Sequence, residues 1–387
     1  MKISRITLHA VNIQRRTGSR NLHVIVRLEA GDSNFGWGEM SDLSHLPLYQ
    51  FDLPALEQTL NDLLVGKDAC SMALIEDVLI RYFPDEGHKY SRSGLVRQGI
   101  DLALHDLNGR YHGISASTLL GGQLRHRFKV CYPIFRMRAA SDVAANLERV
   151  QDAFDRGFDL IRVYVGANLA ADALFLEQFA DRFGRQVQIK SLDFSNLLPW
   201  RQSLSAVDRF AAITDFMLLE SVAAFDDLDG MAAFRRRSRW PVSEHVTHLH
   251  HAWHLLRAGA VDILNVSPYV LGGLRACQRV IGMAEAAHAG VLIGTTQELN
   301  LGTAAVAHLG AAARILDYPS DNTGPQLYTD DVVRQPLTYE NGFLLVPEGV
   351  GLGIEVDETK LAAKVAPLEN PFGTDLAGLL DRTAPAA

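Results

Sequence analysis

Cysteine is scarce in this 387-residue chain. Cys70, Cys131 and Cys277 are widely spaced, odd in number and include no CxxC pair, which argues against a disulfide framework or a structural zinc site. Apolar runs of membrane-spanning length are missing too, and the start, MKISRITLHAV, is strand-like without the apolar core of a signal peptide. A cytoplasmic protein with no membrane partner is expected. Basic charge is in deficit: the formal net charge is −8, and RRRSR at 235–239 is the only dense cluster. Such a run reads as a solvated face or turn, so no nucleic-acid partner is expected. What is present is the stock of a soluble globular protein, 48 % hydrophobic and 21 % charged, and the length suffices for a large core and two domains.

Residues 1 to about 40 alternate like antiparallel strands, ITLHAVNI and HVIVRLEA, and close on GWGEM at 36–40. Between them RRTGSRN, polar and glycine-containing, predicts a long mobile hairpin loop. Helical sequence runs from about 54 to 82, followed by a second polar loop, PDEGHKYSRSG at 84–94. The two loops read either as lids over a neighbouring site or as plain solvent-exposed connections. GLVRQGIDLALHDLNGRY then places Val96, Ile100, Ala103 and Leu107 on one helical face, and His105 and Asp106 within it are assigned to the core or to capping. The first domain is set at 1–125.

From 126 to 330, eight short apolar runs (VCYPIF, LIRVYVG, VQIKSLDF, FMLLES, WPVSEH, DILNVS, GVLIGTT and ARILDY) alternate with amphipathic stretches, the pattern of a (β/α) barrel. The tail, 331–387, opens strand-like and glycine-rich and is expected to return to the first domain. Three of the runs carry an acid at the end: Asp193, Glu220 and Glu244. Their separations of 27 and 24 residues each fit one strand plus one helix, so consecutive strands deliver all three to the rim where barrel active sites collect. Carboxylate oxygens are hard ligands, and three of them make a candidate Mg²⁺ site. The plain alternative is that acids end strands because the chain turns into water there. His245 opens EHVTHLHHAWH, whose histidines read as surface or supporting residues once the acids account for a metal; His245 itself is a candidate substrate contact.

GWGE at 36–39, the helix QGIDLALHDLNGRYHGISASTLLGG, the three strand-end acids and VGLGIEVD near the end together resemble, in that order, the mandelate racemase and muconate lactonizing branch of the enolase superfamily. The resemblance runs from Ile3 to about Leu361. It implies an α/β architecture, a modified (β/α)₇β TIM-like barrel under an α+β capping domain built from both chain ends. It also implies Mg²⁺ on Asp193, Glu220 and Glu244, a small-molecule carboxylate substrate whose α-proton is removed, and a homo-oligomer. The implied metal has a physical purpose, since losing that proton puts a second negative charge on the substrate, which a divalent cation stabilises.

The chain departs from the family where the bases should be. Members carry K-x-K at the end of the second barrel strand; here the place reads Arg162-Val163-Tyr164. Ser267 stands at the sixth-strand base position, and the seventh strand offers Thr295 and Thr296 instead of histidine. One expectation is that Tyr164, its pKa lowered from the usual value of about 10 by Arg162 and the metal, replaces the lysine as base, in the manner of the Arg and Tyr pairing of mannonate-dehydratase-like relatives. The alternative gives Arg162 a substrate carboxylate and Tyr164 a packing role. Lys190, three before Asp193, would face the helices in a regular strand; a bulge, a salt bridge or an inward turn must accommodate it, and it is a second candidate base. Asp321 matches an acid that donates a proton to the enolate in relatives, and is otherwise a turn residue. Ser267 and Glu298 are candidate substrate contacts. This one-sided set favours dehydration of a hydroxy acid or sugar acid. Cycloisomerisation or epimerisation would need another base, Lys190 or one of His88, Lys89 and Tyr90, and a lapsed ligand-binding member is the third reading.

Overall fold

The alternation of the first forty residues becomes three antiparallel strands, β1 (Ile3–Gln14), β2 (Arg20–Ala30) and β3 (Asn34–Met40), paired in that order. The computed structural model describes residues 1–43 and 52–365. The expected long hairpin loop is instead a tight turn, because pairing continues to Gln14 and Arg20. Arg15 N donates to Ser19 O at 2.8 Å, and Gly18 N to Arg15 O at 2.9 Å. The tip is tied down where Arg16 N and Nε donate to Leu327 O and Gln326 O at 2.9 and 3.0 Å. The helical stretch from 54 to 82 is two helices, α1 (Leu53–Leu64) and α2 (Met72–Tyr82), parted by a turn in which Gly66 takes φ +84°. Glycine alone adopts that angle at no steric cost.

Helix α3 (Arg92–His112) is capped by Ser91 Oγ on Gly94 N and stopped by Gly113 at φ +68°. It is buried all round from Ser93 to Gly109 rather than along one stripe, because it is wedged between the capping sheet and the barrel's helices. The glycines of GWGE permit this. A Cβ at Gly38 would meet the Gly99 carbonyl and lie 2.8 Å from Ala103 N. Asp106 fastens the assembly by accepting from Trp37 N and Leu352 N, both at 2.9 Å, and from Arg110 Nε at 2.9 Å. His105 Nδ1 bonds Asp101 O at 2.8 Å within its own helix. Both residues therefore serve the core.

After β4 (Arg127–Lys129), seven parallel strands follow in spatial order: β5 (Tyr132–Ile134), β6 (Leu160–Tyr164), β7 (Gln188–Asp193), β8 (Phe216–Glu220), β9 (Val242–His245), β10 (Ile263–Val266) and β11 (Gly290–Ile293). Amphipathic helices cross between them. In Asp142–Asp155, Val143, Asn146, Leu147, Val150 and Ala153 recur at helical spacing and are the buried face. The run ARILDY, expected as the eighth strand, is irregular. Closure comes from Ser320 and Asp321: Cys131 N donates to Ser320 O and Asp321 N to Ile293 O, both at 2.9 Å. The tail adds β12 (Tyr339–Glu340) and β13 (Phe343–Leu345), a hairpin whose second strand pairs with β4, and then runs back to the capping sheet, where Val365 bridges Val11.

Glu39, the acid of GWGE, joins the two parts. Fully buried, it accepts from Leu299 N at 2.9 Å and Gly302 N at 2.7 Å, the start of helix Asn300–Ala312, and pairs with His23 Nδ1 at 3.0 Å. A carboxylate there satisfies orphan amides and complements the helix dipole. Among the described residues no helix is long and apolar enough to cross a membrane.

Candidate active site

Asp193 and Glu220 are register partners at the last positions of β7 and β8, so both face the barrel interior. Burial and the charge of Glu220 push Asp193 above the usual carboxylate range. For Glu220 burial acts the same way, but Arg162, with Nη1 at 3.5 Å from Oε1, and His245, with Nε2 at 3.0 Å, hold it well below that range. Glu220 Oε2 is buried with no partner. Glu244 pairs across to Leu264, and alternation puts it on the opposite face of β9 from His245. Its Oε2 accepts from Asn196 Nδ2 at 2.8 Å and its Oε1 from Ser221 Oγ at 2.9 Å. Asp193 Oδ1 accepts from Ser195 N at 2.7 Å.

These three carboxylates offer the hard oxygen donors a divalent ion takes. Glu220 Oε2 stands without a partner beside Asp193, whose carboxyl is raised by burial and then by the Glu220 charge, a donor set that suits a divalent cation. The residues thus fit a metal in chemistry. Among the described residues, however, no three are gathered into a ready metal cage, since Asn196, Ser221 and Ser195 engage Glu244 and Asp193. Lys89 Nζ also approaches, donating to Asn196 Oδ1 at 3.2 Å.

Beside the acids lies a buried cluster drawn from β6, β7, Cys131 just before β5 and Asp321 after β11. Between β6 and β7 the register slips: Ile161 pairs with Ile189 but Arg162 with Ser191, leaving Lys190 as an extra residue. This bulge re-aims a side chain that alternation would have sent to the helices. Lys190, fully buried, ion-pairs with Asp321 Oδ1; Arg162 Nη1 lies 3.1 Å from Asp321 Oδ2, and Cys131 Sγ donates to Oδ1 at 2.9 Å. Arg162 Nη2 donates to the Tyr164 hydroxyl, and its guanidinium stands 4.6 Å over the Tyr164 ring.

The surroundings of each member of this cluster shape its chemistry. Burial drives the Tyr164 phenol up, with Asp193 and Glu220 adding to the effect, and Arg162 does not overcome it. The shift runs against the lowering expected from Arg162. Burial alone would lower Lys190, but the Asp321 charge outweighs it and raises the amine. Asp321 accepts from three neighbours, Cys131, Arg162 and Lys190. Glu298 spends both oxygens on its own loop, through Thr295 Oγ1, Thr296 N at 3.0 Å and Thr296 Oγ1 at 3.1 Å. Ser267 Oγ and His245 Nδ1 are buried without partners.

Asn196, Ser221 and Asn265 were missed by the sequence reading. Asn265 Nδ2 donates to Glu220 Oε1 at 3.1 Å. The available signal was position: Ser221 follows one acid directly, Asn196 follows another by three, and Asn265 lies on the strand after Glu244. The remaining histidines of the run sit on or beside helix Leu249–Ala258, with His248 capping it by accepting from His251 N at 3.2 Å.

Two family models match this chain, "Mandelate racemase / muconate lactonizing enzyme, N-terminal domain" over residues 3–121 and "Enolase C-terminal domain-like" over 145–360. Muconate cycloisomerase 1-1 of Acinetobacter lwoffii is 26% identical over 87% of this chain and 87% of its own. D-galactarolactone cycloisomerase of Agrobacterium fabrum is 26% identical over 88% and 91%, and N-succinyl-L-Arg/Lys racemase of Bacillus cereus 23% over 93% and 97%. Among solved structures, muconate cycloisomerase from Pseudomonas fluorescens superposes with a TM-score of 0.84 at 24% identity, covering 95% of this chain and 99% of the other, a likeness of fold. The activities these relatives are named for are cycloisomerisation and racemisation, so the expected dehydration finds no support among them. With both family models matched across the capping sheet and the barrel that carries the acids, the chain belongs to the mandelate racemase and muconate lactonizing branch of the enolase superfamily, a family of enzymes.

Proposed function

We propose that the protein is a Mg²⁺-dependent cycloisomerase of small carboxylates, interconverting an unsaturated acid and its cyclic isomer through an enediolate. The observation that carries this reading is the one-sided supply of firmly held protons. Tyr164, half-buried at the rim, and the fully buried Lys190 both titrate above their ordinary values. The seventh-strand positions opposite hold only Thr295 and Thr296, whose hydroxyls bond Glu298. Adding an internal oxygen nucleophile to a double bond conjugated with a carboxylate requires one proton, delivered to the α-carbon from one face. Racemisation requires a proton-transferring group on each face, and the seventh-strand positions Thr295 and Thr296 offer none.

Asp193, Glu220 and Glu244 would hold the metal, which when bound supplies Lewis-acid stabilisation of the enediolate charge. The Tyr164 oxygen accepts from Arg162, which fixes the ring and leaves the phenolic proton to donate. In the reverse direction the phenolate so formed, stabilised by Arg162, takes the proton back. Lys190 and Asp321 lie deeper and hold Arg162 in position. Phe135 stacks on the Tyr164 ring, centroids 6.3 Å apart at 6°, and limits its rotation.

The test is a panel of unsaturated dicarboxylates, aldarolactones and N-succinyl amino acids with Mg²⁺ in D₂O, followed by NMR. A cyclic isomer bearing one deuterium at the α-carbon is expected, with Tyr164→Phe lowering kcat about 10²- to 10⁴-fold while metal affinity holds. A keto acid formed by loss of water, or full turnover by Tyr164→Phe, would overturn the reading.

A further inference from the structure

The segment between α2 and α3, residues 83–91, crosses the barrel rim, and Lys89 on it is half-buried, its ammonium turned inward. Nζ donates to Asn196 Oδ1 at 3.2 Å, and the same amide donates through Nδ2 to Glu244 Oε2 at 2.8 Å. Burial alone would lower the Lys89 pKa; the charges of Glu244, Tyr90, Asp193 and Glu220 outweigh it and raise it. The same three carboxylates that fit a divalent ion are thus the anions that hold this ammonium in place. The barrel's own cations do not serve them equally. Lys190 is bound to Asp321, and Arg162 is shared between Asp321 and Glu220. Among the described residues no ion pair reaches Asp193 or Glu244; Arg162 acts on Asp193 from beyond ion-pair distance, and Lys89 enters on the side of both acids through Asn196.

We propose that Lys89 is a tethered counter-ion of the metal site, seated on Asn196 among Asp193, Glu220 and Glu244 when no divalent ion is bound, and displaced when one enters without substrate. This rests on the reading of those acids as metal ligands. A divalent ion and an ammonium group sharing one buried cluster repel each other strongly at reduced dielectric. A metal that enters alone must therefore unseat the segment. An incoming substrate carboxylate supplies the negative charge that lets the segment return, so metal precedes substrate and closure follows both. Lys89 is thereby a positioning residue of the rim, and metal occupancy is linked to the closure of residues 83–91.

The experiment is a titration of the metal-free full-length protein with Mn²⁺, free ion being read by electron paramagnetic resonance. Wild type is compared with Lys89→Met, Lys89→Gln, Lys89→Arg and Glu220→Gln. The expected result is Mn²⁺ binding at least tenfold tighter in both neutral variants, wild-type affinity in Lys89→Arg, and faster tryptic cleavage after Lys89 when wild type is loaded with Mn²⁺. Unchanged or weaker binding in both neutral variants, with binding lost in Glu220→Gln, overturns the counter-ion role and leaves the metal reading intact. Failure of every form to bind Mn²⁺ overturns the metal reading and this inference together.

Discussion

Burial, more than any single neighbour, decides the chemistry of Tyr164. Its arginine partner stabilises a phenolate, but removing the ring from water and placing it near Asp193 and Glu220 costs the charged form more. The sequence names the pair Arg162 and Tyr164 but cannot give the sign of the shift, because depth in the barrel is a property of the assembled strands. Lys190 shows the same limit, since its inward aim depends on a slip in register that residue spacing does not reveal. Asp321 is the acceptor on which that interior depends. Asp321→Ala strands Lys190 and Arg162 as buried charges, and a loss of about 3–5 kcal/mol in urea unfolding is expected. Asp321→Asn, which keeps the shape and one acceptor oxygen but removes the charge, should fall between Asp321→Ala and wild type.

The elements were legible wherever periodicity was strong. The seven barrel strands, the first two strands of the capping sheet and helix α3 follow from apolar alternation and helical spacing, and the three acids from their place at the ends of runs. The eighth strand was not legible, because two residues, Ser320 and Asp321, close the barrel by hydrogen bonds that carry no sequence pattern. Close packing of elements yields its own test. A methyl group on Gly38 has no room against α3, so Gly38→Ala is expected to lower the melting temperature, at the upper end of the about 1–3 kcal/mol typical of overpacking. Helix Asn300–Ala312 carries His308, fully buried, its pKa pushed down to about 4 by burial. The unfolded chain takes up a proton near pH 6.5 that the folded protein refuses until about pH 4. Stability from this group is therefore complete above pH 6.5 and is lost as the pH falls towards 4, by about 3 kcal/mol. Denaturation at pH 7 and pH 4.5 should show that slope, and His308→Gln should reduce it.

For the whole molecule, a ligand that binds only the folded state must stabilise it. Mg²⁺ at a hundredfold excess over its dissociation constant is expected to add about 2.7 kcal/mol and to raise the melting temperature, reversibly with chelator. Glu220→Gln should abolish that response in a thermal scan. The seat of Asp106 has a consequence for how the chain is made. Its carboxylate receives Trp37 from the first sheet but also Leu352 from the far end, and Val11 finds its bridge partner only at Val365. A nascent chain leaving the ribosome at about 5–20 residues per second carries its first domain for on the order of ten seconds or more before those partners emerge. During that interval a buried-to-be acid and an apolar sheet edge face water or a chaperone, and the domain translated first is among the last to be completed.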